Sequence, residues 1–305
     1  MDSPRVQKLI KTALPDINIH LNHPLAPYTT INIGGPAQIF VHTTSPHQFI
    51  SIIKLVHTNN LNPITILGQG SNTLISDHGL PGLVIKNSGN HIDIKHQLAT
   101  ISSGTSLGWA INHLLDHNLT GLETFGYIPA SIGGAIFSNI HGFDKSNFSQ
   151  FIDTIDVFDL KSGQQKTLKV TDLKWGYDYS PFQSLPHLII TAATFKLQKG
   201  DADLARQTLA NIIKTKSATQ PANSLGCVFK NPDHDSAGHI IDSLGLKGKT
   251  TGGAQISPLH ANFIINTGAA TATDYYQLAR QIQQTVKTKT GIMLEFEIKL
   301  LGQFN

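Results

Sequence analysis

The chain has 305 residues, of which 40% are hydrophobic and only 14% charged, and its net charge is +3 with histidine neutral. That is enough apolar sequence for a sizeable core and more than one domain. No long Lys/Arg block supports a nucleic-acid or membrane-surface role, and the single cysteine, Cys227, excludes an intrachain disulfide or a cysteine-based zinc site.

Met1–Leu14 lacks the continuous apolar stretch of a signal peptide, and no run approaches the roughly 18 apolar residues of a membrane span, so a cytoplasmic chain is expected. Ala37–His42 reads as a strand. Pro46–Asn60 reads as a helix, with Ser45 as N-cap, Pro46 in the first turn and Phe49, Ile52, Ile53 and Val56 at helical spacing. Ile64–Leu67 is a strand ending at Gly68, and short β-like runs follow at Leu83–Ile85, Ile92–Ile94 and Ala99–Ile101. Ser106–His117 is helical. Thr154–Leu160 and Leu188–Leu197 read as strands, Ala202–Lys216 and Thr273–Thr290 as helices, and Ile292–Leu301 alternates as a final strand. The expected division falls at Lys199–Gly200–Asp201.

Two glycine-rich loops have the makings of a phosphate cradle. Gly68-Gln69-Gly70-Ser71-Asn72 follows a strand, and its glycines permit positive φ and close backbone approach. It lacks the third glycine and the following helix of a Rossmann fingerprint. The second loop holds Ile128, Pro129, Ala130, Ser131, Gly133, Gly134 and Ala135, small residues where a helix can start, and helix N-termini attract phosphate. Tight packing of a helix on a sheet explains those glycines equally well. A third Gly pair, Gly34-Gly35, lies upstream, and together these loops suit a ligand with two phosphates.

In the carboxyl-terminal third, Cys227, Lys230 and Asn231 lie within five positions, and in an extended segment Cys227, Phe229 and Asn231 would share a face. From the thiol alone, a buried packing cysteine is the plainer reading. Glu295 and Glu297 would share a strand face. The scattered histidines form no HExxH or comparable metal set.

Taken in order, TTINIGGPA (29–37), LGQGSNTLISD (67–77), GLETFGYIPASIGGA (121–135), GCVFKNP (226–232), GGAQISPLHANFIINTG (252–268) and GIMLEFEIKLLG (291–302) resemble the UDP-N-acetylenolpyruvoylglucosamine reductase family. The resemblance runs from about Tyr28 to Gly302 and fits the compact subclass without the tyrosine-loop insert. It implies an α+β fold: a two-lobed FAD-binding region of the vanillyl-alcohol-oxidase/PCMH type over 1–200 (lobes near 1–66 and 67–200), and a UDP-sugar-binding α/β domain over 201–305 whose last strand returns to the FAD region. The implied cofactor is FAD, with NADPH as co-substrate. The implied partner is a small UDP-sugar, with no nucleic acid, membrane or oligomer called for.

The resemblance places Gly68, Gln69, Gly70, Ser71, Asn72, Ile128, Pro129, Ser131, Gly133, Gly134 and Ala135 against the flavin nucleotide. It assigns Cys227 as proton donor where relatives have serine, and Glu297 as the catalytic glutamate. Asn231, Lys230, Lys216 and Tyr177 fall to the substrate. A thiol, with an unperturbed pKa of about 8.5, is a better acid than an alcohol. One departure stands out. The family's Tyr-Arg-x-Ser-x-Phe pattern reads Tyr177-Asp178-Tyr179-Ser180-Pro181-Phe182, so Asp178 occupies the arginine position that steadies the substrate carboxylate and enolate. Lys230 and Lys247 are the candidate replacement cations. Asp178 also motivates a second reading, a weak or inactive FAD- and UDP-sugar-binding homologue. A different flavoprotein oxidase on the same scaffold is the third, and it should lack the GCVFKNP and LEFE pieces.

Overall fold

A computed structural model describes residues 1–304. Its α-helices are α1 (Ser3–Ala13), α2 (Pro46–Thr58), α3 (Leu107–Asp116), α4 (Ile132–Ser138), α5 (Ala202–Thr219), α6 (Ala237–Ser243) and α7 (Ala272–Thr290). Local chemistry sets their ends. Ser45 Oγ accepts from Gln48 N–H at 3.2 Å and Pro46 opens α2, as the sequence predicts. α7 begins with a reciprocal Thr271–Asp274 capping box and stops at Gly291, whose φ of 77° ends the helix in the left-handed region.

The chain divides into two compact units. Unit 1 comprises Met1–Leu21, Ile39–Gln69 and Gly82–Lys214; unit 2 comprises Asn22–Gln38, Gly70–Pro81 and Thr215–Asn305. The division differs from the expected one at 199–201. Ala205 and Leu209 of α5 pack into a core of unit 1, so the helix belongs there for most of its length.

Unit 1 has two cores. In one, Ile39, Val41, Leu83 and Ile85 from a four-stranded sheet meet Phe49, Ile52 and Ile53 of α2. That sheet runs Ile19–Pro24, Pro36–Thr43, Leu80–Asn87, Ile64–Leu67. The other core packs α3 and α4 against a five-stranded antiparallel sheet, ordered Gln164–Lys169, Ile152–Asp159, Leu188–Lys196, Leu98–Ser102, Ile92–Lys95. The mixture of a mainly antiparallel sheet and segregated helices is the α+β class expected.

Unit 2 wraps α6, α7 and a small sheet (Thr250–Thr251, Ala254–Ile256, Ile264–Asn266) around Val228, Phe229, Tyr275, Leu278 and Ile298. Asp77 stitches it together: its carboxylate accepts from the N–H groups of Ala272 and Thr273, each at 2.8 Å, at the start of α7.

The final strand is shorter than the alternation suggests. Only Lys299–Leu301 is strand, paired in parallel with Thr73–Ile75 of the same unit. Upstream, Gln283 Nε2 donates to Leu294 O at 2.8 Å, so a side chain serves backbone that a strand would have paired.

Candidate active site

In unit 1, Ser131 caps α4, and its Oγ accepts from Gly134 N–H at 3.2 Å. The other N–H groups of that turn are also engaged within the chain: Ile132 to Thr105 O at 2.9 Å, Gly133 to Ser103 O at 2.8 Å, Ala135 to Ser131 O at 2.8 Å. Gly134, which is exposed, and half-buried Gly133 therefore offer a ligand a bare surface rather than free donors, whereas Ala135 is fully buried and contributes packing only. A Cβ on Gly133 would lie 3.0 Å from Ser103 Cβ, so this glycine is needed for packing. Ile128 and Pro129 lead into the cap, and Ala130 O accepts from Leu107 N–H at 2.8 Å, which pins the loop to the start of α3.

Gly68 meets the same cap: a Cβ there would stand 2.4 Å from Ser131 Oγ. The two glycine loops singled out in the sequence thus come together at Gly68 and Ser131. Lys86, a lysine closing an otherwise apolar strand, donates to Gly68 O. Burial pushes its ammonium down to about 8 from the usual 10.5. His42, on the neighbouring strand, is held below its usual range by burial and by Lys86. A bare glycine surface, a capping hydroxyl and an ammonium whose charge lacks solvation fit the phosphate-bearing part of a flavin nucleotide. An anion there would offset the desolvation of Lys86.

Asp178 and Tyr177 also lie in unit 1. Asp178 sits at φ 49°, with only 9% of its side chain exposed. Its Oδ1 lies 3.2 Å from His141 Nδ1, and Oδ2 is buried without a hydrogen-bond partner among the described residues. Tyr177 stacks on His141, with ring centroids 5.1 Å apart.

Unit 2 gathers the other candidates. Gly70, Ser71 and Asn72 continue the loop from Gln69. Gly70 O accepts from Thr30 N–H at 3.2 Å, and a Cβ on Gly70 would strike Tyr28 O at 2.2 Å. Asn72 O accepts from Lys299 N–H at 2.9 Å, and its Nδ2 donates to Glu297 O at 3.4 Å. Glu297 N–H in turn donates to Val228 O at 2.9 Å, the residue after Cys227. Asn262 secures this stretch: its Oδ1 accepts from Phe229 N–H at 3.0 Å and its Nδ2 donates to Phe229 O at 2.7 Å. Cys227 and Glu297 thus lie on neighbouring, bonded segments, both half-buried.

Cys227, Phe229 and Asn231 do not share a face. Phe229 is core, Cys227 is half-buried, and Asn231 is exposed, with its Oδ1 accepting from Ala237 N–H at 3.0 Å. Glu295 likewise parts from Glu297: its side chain is 76% exposed and stands 4.0 Å from Lys230. Lys216 and Lys247 both bear on His260, which burial and these two ammonium groups hold below its usual range. Asn262 N–H donates to His260 Nδ1 at 3.2 Å, which leaves the ring proton on Nε2.

Tyr275 is wholly buried on α7, and its Oη has no hydrogen-bond partner among the described residues. Burial, and then Cys227, pushes this phenol up. Lys86, His141 and Tyr275 escaped the sequence reading. Lys86 alone left a signal, as a charge at the end of an apolar run.

Residues 218–301 match the family described as "UDP-N-acetylenolpyruvoylglucosamine reductase, C-terminal domain", and residues 37–169 match "FAD binding domain". A UDP-N-acetylenolpyruvoylglucosamine reductase of Listeria innocua serovar 6a is 36% identical over 302 residues, spanning 96% of this chain and 98% of that protein. A reductase of the same name from Pediococcus pentosaceus is 34% identical over 297 residues, spanning 96% and 98%. Among solved structures, the UDP-N-acetylenolpyruvylglucosamine reductase of Thermus caldophilus superposes with a TM-score of 0.79 at 30% identity, covering 94% of this chain and 99% of that one.

Proposed function

The chain belongs to the UDP-N-acetylenolpyruvoylglucosamine reductase family, and from that membership we propose that it reduces UDP-N-acetylglucosamine enolpyruvate to UDP-N-acetylmuramate at the expense of NADPH, a step of peptidoglycan precursor synthesis. Bound FAD would supply the redox chemistry, as the two-electron carrier between NADPH and C3 of the enolpyruvyl ether.

The residues of this chain handle the charge and the second proton. Addition of hydride at C3 leaves an electron pair at C2, delocalised into the adjacent carboxylate. Cys227 Sγ–H gives its proton to C2 to complete the reduction, and the thiolate regains a proton from solvent. Glu297 is the acid that steadies the charge developing on the enolate. The observation that carries this assignment is the hydrogen bond from Glu297 N–H to Val228 O at 2.9 Å, which ties the two candidate acids to adjoining backbone. Gly68, Gln69, Gly70, Ser71, Asn72, Ile128, Pro129, Ser131, Gly133, Gly134 and Ala135 are assigned to the flavin nucleotide. Lys216, Lys230, Asn231 and Tyr177 are assigned to the UDP-sugar. Among the described residues no helix is long and apolar enough to cross a membrane, and a small soluble substrate with NADPH suits a cytoplasmic enzyme.

The test is NADPH oxidation by purified holoenzyme. It should depend on the enolpyruvyl substrate and form UDP-N-acetylmuramate in equal amount. NADPH consumption that ignores the substrate would refute the assignment.

A further inference from the structure

We propose that the solvent face of α3 carries a binding site for one divalent late transition-metal ion, held by the imidazoles of His113 and His117. The site is independent of the reductase reading above and lies wholly within unit 1. The histidines read as scattered along the sequence, but these two stand four residues apart on one helix, the spacing that sets side chains one above the other on a single face. Leu107, Ala110, Ile111, Leu114 and Leu115 bury the opposite face of α3 and anchor it. His117 is exposed and His113 half-buried, so the pair stays open to solvent on a fixed helix.

The rings are spaced for a shared ion. Their centroids lie 4.8 Å apart, with 48° between the planes. Two imidazoles bound to one ion at about 2.0–2.1 Å, at an angle between a right angle and a tetrahedral one, have centroids about 4.5–5.2 Å apart. The hydrogen bonding of His117 also suits a ligand. Its Nδ1 lies 2.9 Å from His113 O, and a carbonyl only accepts, so Nδ1 carries the proton and the neutral ring keeps its lone pair on Nε2. A metal-bound histidine characteristically donates its second ring N–H to a carbonyl or carboxylate, which fixes the tautomer and the orientation of the ring. Here the carbonyl belongs to the other ligand residue.

His113 is held from its other side. Trp109, one turn earlier, stacks on it with 13° between ring planes and centroids 5.2 Å apart, so the three side chains form a continuous file of rings. Less rotamer freedom is then left to lose on binding. The place on the helix favours a cation as well. His117 is the C-cap of α3, where the last carbonyls present the negative end of the helix dipole. The neighbouring carboxylate, Asp116, is paired with Arg206, which leaves the two imidazoles as the ligands. Among the described residues no group of three or more His, Cys, Asp or Glu gathers to hold a metal, so water completes the coordination and the ion is exchangeable. Among first-row divalent ions, nitrogen donors bind Cu2+ most tightly.

The experiment uses the full chain as purified, with Cys227 alkylated so that the thiol neither captures nor reduces the probe, and the probe is Cu2+. Affinity is read from quenching of tryptophan fluorescence, and the donor atoms from electron paramagnetic resonance. The parent should bind one tight ion coupled to two imidazole nitrogens. His113→Asn and His117→Asn should each weaken that ion by roughly 10²-fold, because a two-point attachment becomes a one-point one. Trp109→Phe should keep the resonance signal and lose most of the quenching, since the ring that reports is the one stacked on His113. His239→Asn, at an imidazole that pairs with Asp235 on another helix, should leave the tight ion in place. Circular dichroism checks that each variant is folded, and if His113→Asn is not, His117→Asn, at an exposed position, decides alone. Parent-like affinity in a folded His117→Asn variant overturns the proposal. So does a parent signal with a single coupled nitrogen, or quenching that survives in Trp109→Phe, either of which places the ion elsewhere.

Discussion

Glu297 donates its backbone N–H to Val228 O at 2.9 Å, and two residues earlier Glu295 O accepts from Lys230 N–H at the same distance. This antiparallel pairing, centred on the Phe229–Phe296 bridge, separates two acids that the sequence leaves equivalent. Glu297 is half-buried, whereas the Glu295 side chain is 76% exposed. Glu297→Gln should slow reoxidation of the reduced flavin by substrate by about 10²-fold or more, the scale of a positioned acid. Reduction by NADPH should persist. Rapid-mixing measurement of the two half-reactions decides it, and equal damage from Glu295→Gln would reverse the assignment.

Cys227 adjoins the same pairing. Cys227→Ser keeps a proton donor of similar size and should retain turnover. Cys227→Ala should slow substrate-driven reoxidation by several orders of magnitude while sparing flavin content and the NADPH half-reaction. Alkylation should stop turnover, and bound substrate should protect. An alanine variant that folds and turns over like the parent would return Cys227 to a packing role.

Much of this was readable along the chain, because caps and apolar spacing are local. Ser45, Phe49, Ile52 and Val56 announce α2, and Leu107, Ala110, Ile111 and Leu114 announce α3. The short α4 and α6 carry too few turns to show a period, and the run from Ile292 to Ile298 alternates although only 299–301 is strand. Contacts across long separations were invisible. Asp77 capping α7 from 195 residues away and His141 meeting Asp178 across 37 leave no spacing to detect. The compact units cut across sequence order for the same reason, with 22–38 and 70–81 joining the carboxyl-terminal residues.

The glycines of the two candidate flavin loops are not equivalent probes. Gly70 has φ 64°, and any Cβ would strike Tyr28 O at 2.2 Å, so Gly70→Val should damage folding with or without flavin. Gly134 meets only Ser131 Oγ, at 3.3 Å. Gly134→Val should fold yet carry much less FAD, as read by releasing and quantifying flavin from denatured protein beside a circular-dichroism melt. Full flavin occupancy in a folded Gly134→Val variant would move the nucleotide away from this turn.

Lys86 gives the pH dependence a sign. Its folded pKa, pushed down to about 8, lies below the unfolded value of 10.5. Between those values the unfolded chain holds the extra proton, so the contribution of Lys86 to stability rises with pH across the window; below about 8 the penalty of burying the charge is fully present. In urea melts of flavin-free protein, the parent should gain stability relative to Lys86→Met as pH rises through that range. Parallel pH profiles would show that the ammonium titrates normally.

In the proposed reaction one bound flavin carries electrons from NADPH to an enolpyruvyl UDP-sugar. The visible spectrum of the purified protein under anaerobic conditions tests it most directly. The protein should show an oxidised flavin spectrum that NADPH bleaches and that UDP-N-acetylglucosamine enolpyruvate then restores, with UDP-N-acetylmuramate as the product. A flavin that stays bleached in the presence of that substrate, or a protein that carries no flavin when grown with an ample supply, would contradict it.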